Sequence, residues 1–475
     1  MPRRHLSLRV GDDEAARELR AGFERIRAEL EVPAEFPPDV AAEAAAAAAR
    51  DVRPGDDLTD LPFLTIDPAG SMDLDQAMHI ERRGSGYRVR YAIADVGSFV
   101  EPDGLVDREA HRRGQTLYSP DTRTPLHPPV LSEGAASLLP DEVRPCVLWT
   151  IDLDAEGDQT AVDVRRAMVR SRDRLDYAGV QEQLDGGTAD DRLLLLQEVG
   201  RLRKQVEAQR GGVSLPIPEQ EVHEEGGAFR LAYRVPLPVE SYNEQISLLT
   251  GMAAADLMLH GEIGVLRTLP AAPEEAVRVL RRSASALGVE WPTDTAYAEV
   301  IAGLDAKDPR HAAFLENATS LLRGAGYTAF DGGVPEQATH AAVAAEYAHV
   351  TAPLRRLVDR YALEVCLALA AGTDVPGWAR ESLPRLPEVM AESDRRAGAL
   401  ERACVDLMEA VVLRDAVGRD FEAVVLESDD RGGTVQLSDP AVRARYEGEL
   451  PVGEHARVRL AEVDVAERSV RFVPA

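Results

Sequence analysis

Cysteine is scarce in this chain of 475 residues: Cys146, Cys366 and Cys404 stand far apart, with no CxxC spacing. That argues against a disulfide framework and against a cysteine-held zinc site, and a cytoplasmic location fits. Long apolar runs are missing too. No stretch approaches the roughly 20 residues of a membrane helix. The Ala-rich run at 41–49 is a helix former, too weakly hydrophobic to span. The opening residues MPRRHLSLRV carry charge, but no apolar segment follows, so no signal peptide is read. Positive charge is in deficit. Lys plus Arg number 54 against 82 Asp plus Glu, a net charge of −28. Such a chain is poorly suited to strong non-specific binding of polyanions. A narrow basic channel is still compatible, because potential is set within a Debye length of about 8 Å at physiological salt. Neither a membrane nor an obligate protein partner is read from the sequence.

What is present suits a soluble globular chain of two to four domains, with 45% hydrophobic and 29% charged residues. Residues 12–31 read as an amphipathic helix. Leu19, Phe23, Ile26 and Leu30 recur at helical spacing, and Asp12 or Asp13 is the expected cap. VPAEFPPDV breaks it, an Ala-rich helix runs to about Arg50, and DVRPGDDLTD reads as a linker. Short strands follow from Leu61: LPFLTID, AMHIERR, YRVRYAIADV and VLWTIDLD, with GSG at 84–86 as a hairpin signal. From about 190 to 415 the pattern is mostly helical, with FRLAYRVPL as a strand inside it. PLRRLVDRYALEVCLALAAG reads as a helix with Pro353 at its first position and Thr351 near the cap. After Gly418, five short strands in about sixty residues suit a small OB-type barrel. The expected architecture is α+β and multidomain. It comprises a helical N-terminal region and linker (1–57), a mixed α/β catalytic domain (58–417) and an all-β barrel (418–475).

The chemistry is concentrated in TIDPAGSMDLDQA. The strand PFLTI delivers Asp67 to its end, a Pro-Ala-Gly turn follows, and Asp73 and Asp75 face the same way if the piece is extended. Three converging carboxylates repel one another unless a cation lies between them. Hard oxygen ligands with open water positions suit Mg²⁺ or Mn²⁺. The competing reading is a solvated turn, since Asp, Gly and Pro are turn residues. Arg355, beside Arg356 and with Arg360 a turn later, is placed in the first turn of the expected helix. Free N–H groups and guanidinium groups there make a seat for a phosphate.

Several segments in order support the metal reading. TIDPAGSMDLDQA resembles the signature of the RNase II/RNase R (RNB-domain) family of exoribonucleases. YAIADVGSFV, LYSPDTRTPLHPPVLSEGAASLLPDEVRP, RLDYAGVQEQLDG, YNEQISLLTGMAAADLM and YAHVTAPLRRLVDRYAL resemble its later blocks. ALERACVDLMEAVVLRDAVGRDFEAVV resembles the end of the catalytic domain, running into an S1-like barrel. The resemblance implies an RNB-type catalytic domain with Asp67, Asp73 and Asp75 as metal-site carboxylates. It implies that Tyr118 packs on the nucleotide at the scissile end and that Arg355 contacts its phosphate. Tyr177, Glu244 and Glu401 match positions that hold the 3′-terminal nucleotides, and Arg356 is taken as a further RNA contact.

Two departures stand out. The family pattern is DxDD, and here the fourth acid is Gln76, an amide that can ligate Mg²⁺ but brings no charge. Cold-shock-type domains usually precede the catalytic domain, and here about sixty residues of helical character stand instead. The C-terminal region is acidic as well: eight arginines and no lysine face twelve acidic residues, a balance of −4. Its aromatic residues form no evident basic stacking face of the kind OB-folds use. The expected function is metal-dependent, processive 3′→5′ hydrolysis of single-stranded RNA to nucleoside 5′-monophosphates. The rivals are an RNA-binding pseudoenzyme and a phosphodiesterase for short oligonucleotides.

Overall fold

The computed structural model describes residues 8–9, 14–214, 219–225, 228–234, 236–305, 308–429, 431–437 and 439–475. The cap expected at Asp12 or Asp13 lies outside them. The first helix, Glu14–Glu29, buries Leu19, Phe23 and Ile26 in one cluster with Leu400, Cys404 and Leu407 of the long helix Leu386–Leu413. The second, Pro38–Ala48, starts with proline at its first position, where no N–H is needed. It buries Val40, Ala44 and Ala47 beside Phe63 and Ala92 of the central sheet. The N-terminal helices are therefore packed into the body of the protein.

The central sheet has six strands. In sheet order they are Asp56–Asp57, Gln159–Asp176, Phe63–Asp67, Gln76–Arg83, Gly86–Ala94 and Val143–Leu153. Gln159–Asp176 also pairs with Val143–Leu153, so the sheet curls back on itself. The expected hairpin forms at GSG: Arg83 pairs with Gly86, and Gly84 takes the left-handed φ of +59° the turn requires. Alternation splits the side chains between two faces. Leu64, Ile66, Tyr91 and Trp149 lie in one core with the helices Asp191–Arg210, Pro238–His260 and Leu357–Ala371. Phe63, Ala77, Ala92 and Leu148 lie in the other, with the second helix.

One register sets the site. Phe63–Asp67 runs parallel to the end of Gln159–Asp176, with Asp67 opposite Asp176. Both strands stop at one edge, and the helix Tyr177–Asp185 begins there, capped by the Asp176 carboxylate on the Gly179 N–H. The mostly helical stretch also contains an antiparallel pair, Ile263–Thr268 with Gly326–Asp331. At the C-terminus the five expected strands close into a barrel: Asp420–Asp429, Gly432–Leu437, Arg443–Glu447, His455–Asp464 and Ser469–Pro474. Its core residues Val425, Tyr446 and Phe472 belong to the same cluster as the first and the long helix.

Candidate active site

Loop 68–75 leaves the sheet edge through a turn in which Ser71 N–H donates to the Pro68 carbonyl, with Gly70 at φ +86°. Ser137 holds its return. Its hydroxyl donates to the Met72 carbonyl (2.6 Å) and accepts from the Leu74 N–H (3.0 Å). Leu74 is fully buried and anchors the loop between the two aspartates. Asp75 is only 3% exposed, and its two oxygens reach a distant turn. Oδ1 accepts from the Leu354 N–H (2.8 Å), and Oδ2 accepts from Arg355 Nε (3.2 Å). A residue of the Asp loop thus fixes the backbone and the guanidinium of the Arg355 turn.

That turn differs from the helix start read in the sequence. The helix begins at Leu357, not Pro353, and Arg356 occupies its N-cap position with extended backbone. The cause is pairing: Arg356 bridges Gln115, and Thr116 N–H donates to the Arg355 carbonyl (2.9 Å). Thr351 is not the cap. Asp359 reaches back instead, accepting from the Ala352 N–H (2.7 Å) and from Arg356 through two bonds of 2.8 Å. Arg356 is therefore engaged by Asp359, and Arg360 is buried on Asp107. Neither joins Arg355 in the expected phosphate seat. The same backbone pairing brings in Tyr118, three residues after Gln115.

The resulting centre is partly open to solvent. The Arg355 side chain is 40% exposed and Tyr118 is 36% exposed. Burial pushes the Tyr118 phenol up to about 12, and its hydroxyl also senses Arg355, Asp73 and Asp75. Burial pushes the Asp67 carboxyl up to about 6; Arg355 opposes the shift and Asp73 adds to it. For Asp75 burial pushes to about 8, against the pull of Arg355 and the Leu354 N–H. Tyr177 is raised to about 12 by burial and by the Asp67 charge, and its hydroxyl accepts from Asn243 Nδ2 (3.0 Å). Asp67, Asp73, Asp75, Tyr118, Tyr177 and Arg355 are thus one electrostatic neighbourhood. Glu244 lies on the helix Pro238–His260, where surrounding protein and the charge of Glu207 raise its carboxyl although the side chain still reaches solvent. Glu401 lies on the long helix, and Cys404, three residues on, senses its charge together with those of Asp121, Arg27 and Arg468.

Gln76 is held on both sides. Its Nε2 donates to the Thr351 carbonyl (2.5 Å), and its Oε1 accepts from the Tyr91 hydroxyl (3.0 Å), which also bonds Ser247 (2.9 Å). The amide expected as a metal ligand serves as a tie between sheet and turn. Asp95, just past the neighbouring strand Gly86–Ala94, is bound to Arg166 and Ser98. Among the described residues no group of three or more Asp, Glu, His or Cys side chains is placed to hold a metal ion. The donor set fits a looser arrangement, since Mg²⁺ is commonly held by one or two carboxylates with water and phosphate oxygens. Burial holds the Asp67 and Asp75 carboxyls toward their neutral forms, a penalty that a nearby cation removes.

Two features escaped the sequence reading. Arg123 pairs with Asp73 and, at 2.8 Å, with Glu133. Arg27 of the first helix makes two bonds (2.6 and 3.0 Å) to Asp121 at the tip of the same hairpin. YSPDTR carried a signal for the first: Pro in a four-residue turn sets Tyr118 and Arg123 opposite each other.

The RNB domain pattern matches residues 56–369, and the pattern of the RNase II-type exonuclease C-terminal S1 domain matches 419–475. The chain belongs to the RNB family. It is 29% identical over 469 residues to Ribonuclease R of Escherichia coli (strain K12), covering 88% of this chain and 57% of that protein. To the exosome complex exonuclease RRP44 of Homo sapiens it is 28% identical over 345 residues, covering 68% and 35%. The RNB chain thus spans little more than half of the curated relatives it matches first. Its fold is shared with the apo form of Mycoplasma genitalium RNase R, at TM-score 0.85 and 19% identity, covering 98% of this chain and 78% of that one. Yeast Ssd1, described as a pseudonuclease, matches at TM-score 0.72 and 17% identity, covering 93% and 57%. The RNB domain with helices and sheets, the S1-like barrel and the N-terminal helices are all present as expected. No helix among the described residues is long and apolar enough to cross a membrane.

Proposed function

We propose that this RNB protein hydrolyses single-stranded RNA from its 3′ end, releasing nucleoside 5′-monophosphates with Mg²⁺ or Mn²⁺. The observation that carries the reading is the Asp75–Arg355 clamp, with the Arg355 side chain 40% exposed and Asp67, Asp73 and Tyr118 within its electrostatic reach. Tyr118 offers an exposed ring for a base to stack on, an interaction of about 1–3 kcal/mol. Arg355, oriented by Asp75, meets the charge that builds on the phosphoryl oxygens during in-line displacement. One or two carboxylates of the Asp67, Asp73 and Asp75 set, with water and phosphate oxygens, would hold the divalent ion, which supplies Lewis acidity and lowers the pKa of a bound water. Tyr177, which senses the Asp67 charge, and Glu244 would contact the terminal nucleotides. Arg356, bound to Asp359, acts through the shape of the turn rather than as a direct RNA contact.

A second reading rests on Gln76. With its amide spent between Tyr91 and Thr351, the loop lacks a fourth carboxylate, and a binding protein without turnover would retain the rest. End-labelled single-stranded RNA incubated with Mg²⁺ or Mn²⁺ separates the readings. A ladder of single-nucleotide steps is the expected result. A mobility shift without cleavage supports the pseudoenzyme, and cleavage confined to the shortest oligonucleotides supports a small phosphodiesterase.

A further inference from the structure

We propose that the N-terminal helical region is the positioning element of the Tyr118 hairpin, with Arg27 as its positioning residue. The inference rests on the reading above, in which a base of the RNA stacks on Tyr118. It gives a task to residues that precede the matched RNB domain, which begins at 56. The hairpin needs outside support. It pairs Leu117 with Thr124 and Tyr118 with Arg123, and its turn is closed by Ser119 N–H on the Thr122 carbonyl (2.8 Å). So short a pairing does not hold a ring in place on its own, since isolated two-stranded hairpins are marginal in water.

The support comes from the first two helices and the stretch between them. At the tip, the Arg27 guanidinium grips both oxygens of Asp121, at 2.6 and 3.0 Å. Only 16% of the Arg27 side chain and 12% of Asp121 are exposed, so this bidentate pair is shielded from the screening that weakens surface ion pairs. On the first leg, Leu117 is buried in one cluster with Leu19 and Phe23 of the first helix. Beyond the second leg, the buried Arg113 donates to the Pro125 carbonyl (3.1 Å) and to the Glu35 carbonyl (2.8 Å). Its guanidinium lies 3.7 Å from the centre of the Phe36 ring. On the approach, Glu43 accepts from the Leu105 and Val106 N–H groups, both at 3.0 Å. It thereby satisfies the start of the helix Leu105–Arg113, which leads into the hairpin. The Arg355 turn is tied instead at Gln115 and Thr116, on the far side of Tyr118 from the tip. Freeing the tip therefore moves the ring and leaves the Asp75–Arg355 bond in place.

Binding of an oligoribonucleotide with 2-aminopurine as its 3′-terminal base, measured in chelator on the full-length protein, tests this. It reads affinity and stacking together, because an aromatic ring against the probe quenches its fluorescence. Tyr118→Ala is expected to weaken binding by about fivefold or more and to remove most of the quenching. Arg27→Ala is expected to weaken binding by about three- to tenfold, with partial loss of quenching. Arg27→Lys, which keeps the charge without the two-pronged grip, is expected to fall between Arg27→Ala and wild type. In the Tyr118→Ala background, Arg27→Ala should cost less than about twofold more, since residues that act through one another do not add. If Arg27→Ala does not fold, Asp121→Asn weakens the pair from the hairpin side and gives the same comparison. A lower melting midpoint in Arg27→Ala with unchanged affinity and quenching would overturn the proposal. So would an equal loss of affinity in both backgrounds. A Tyr118→Ala protein that binds like wild type removes the stacking reading, and this inference with it. Absence of cleavage in wild type removes the exonuclease reading alone, because every arm here reads binding.

Discussion

Asp75→Asn is the substitution with the sharpest consequences. The amide keeps the size of the side chain and one oxygen, so the Leu354 N–H still has its acceptor and the turn keeps its place. What disappears is the negative charge facing Arg355 Nε; an NH₂ group set there meets another donor. Arg355 then loses its orientation toward the phosphate. Removing one preorganised donor to a developing oxyanion costs about 2.7–4 kcal/mol, a rate loss of roughly 10²–10³. The loss of a carboxylate from the metal set adds to it. RNA affinity should stay within about threefold, because stacking on Tyr118 does not pass through Asp75.

Stability should move the other way. The Asp75 carboxyl is pushed from 3.8 to about 8 in the folded protein. Between those values the folded state retains a proton that the unfolded state has released. Wild-type stability from this group is therefore full below about pH 4 and is lost as pH rises toward 8. Each pH unit within that window costs up to about 1.4 kcal/mol. The Asn variant has no such dependence, so in chelator its thermal midpoint should gain on wild type from pH 5 to pH 8. Single-turnover cleavage with labelled RNA, a binding isotherm and melts at several pH values give the three readouts. Cleavage within about tenfold of wild type, or a midpoint difference that does not widen with pH, would refute the assignment.

Gln76→Asp removes the donor to the Thr351 carbonyl and sets a carboxylate against it; stability should fall by about 1–3 kcal/mol and cleavage should slow. A Mg²⁺ titration whose midpoint moves to lower concentration in this variant would instead revive Gln76 as a weakened ligand. Arg27→Ala frees Asp121 and loosens the hairpin carrying Tyr118, so KM should rise severalfold with little change in kcat; a pure kcat loss would point elsewhere. RNA binding should show a shallow salt dependence, since the slope counts neutralised phosphates; a slope equivalent to about ten contacts would show a basic channel that net charge conceals. Deleting 418–475 exposes the face of the long helix that shares a core with Val425 and Phe472, so the truncated protein should lose stability as well as affinity, measurable by its melting midpoint.

Much of the fold could be read locally. The strand ending at Asp67, the GSG hairpin and the five barrel strands follow from alternation and turn residues over a few positions each. The helix at 357 could not be placed that way. Its start depends on a bridge between Arg356 and Gln115, far apart in sequence, and propensity at Pro353 gave way to that pairing. The surroundings of Glu401 and Gln76 were hidden for a related reason. A residue type suggests a role, but the neighbours decide it, and those neighbours lie on other elements: Arg27 and Asp121 beside Cys404, three residues from Glu401, and Tyr91 and Thr351 around Gln76.

The three arginines at 355, 356 and 360 show how partners sort side chains that look alike in sequence. Each meets a different acid: Asp75, Asp359 and Asp107. Arg360 is buried on its partner and Arg356 is gripped by two bonds, so both are spent on structure. Arg355 makes one bond of 3.2 Å and keeps 40% of its side chain open. In a chain with 82 acidic residues and 54 basic ones, carboxylates are plentiful enough to engage most guanidinium groups. An arginine then stays usable by substrate only if its partner is shared with the reaction. On the proposed reading Arg355 and Arg123 meet that condition, because Asp75 and Asp73 belong to the loop 68–75. An acidic chain can thus still offer positive charge to a phosphate: each guanidinium is held by a carboxylate of the loop, and an incoming phosphate would compete for it there.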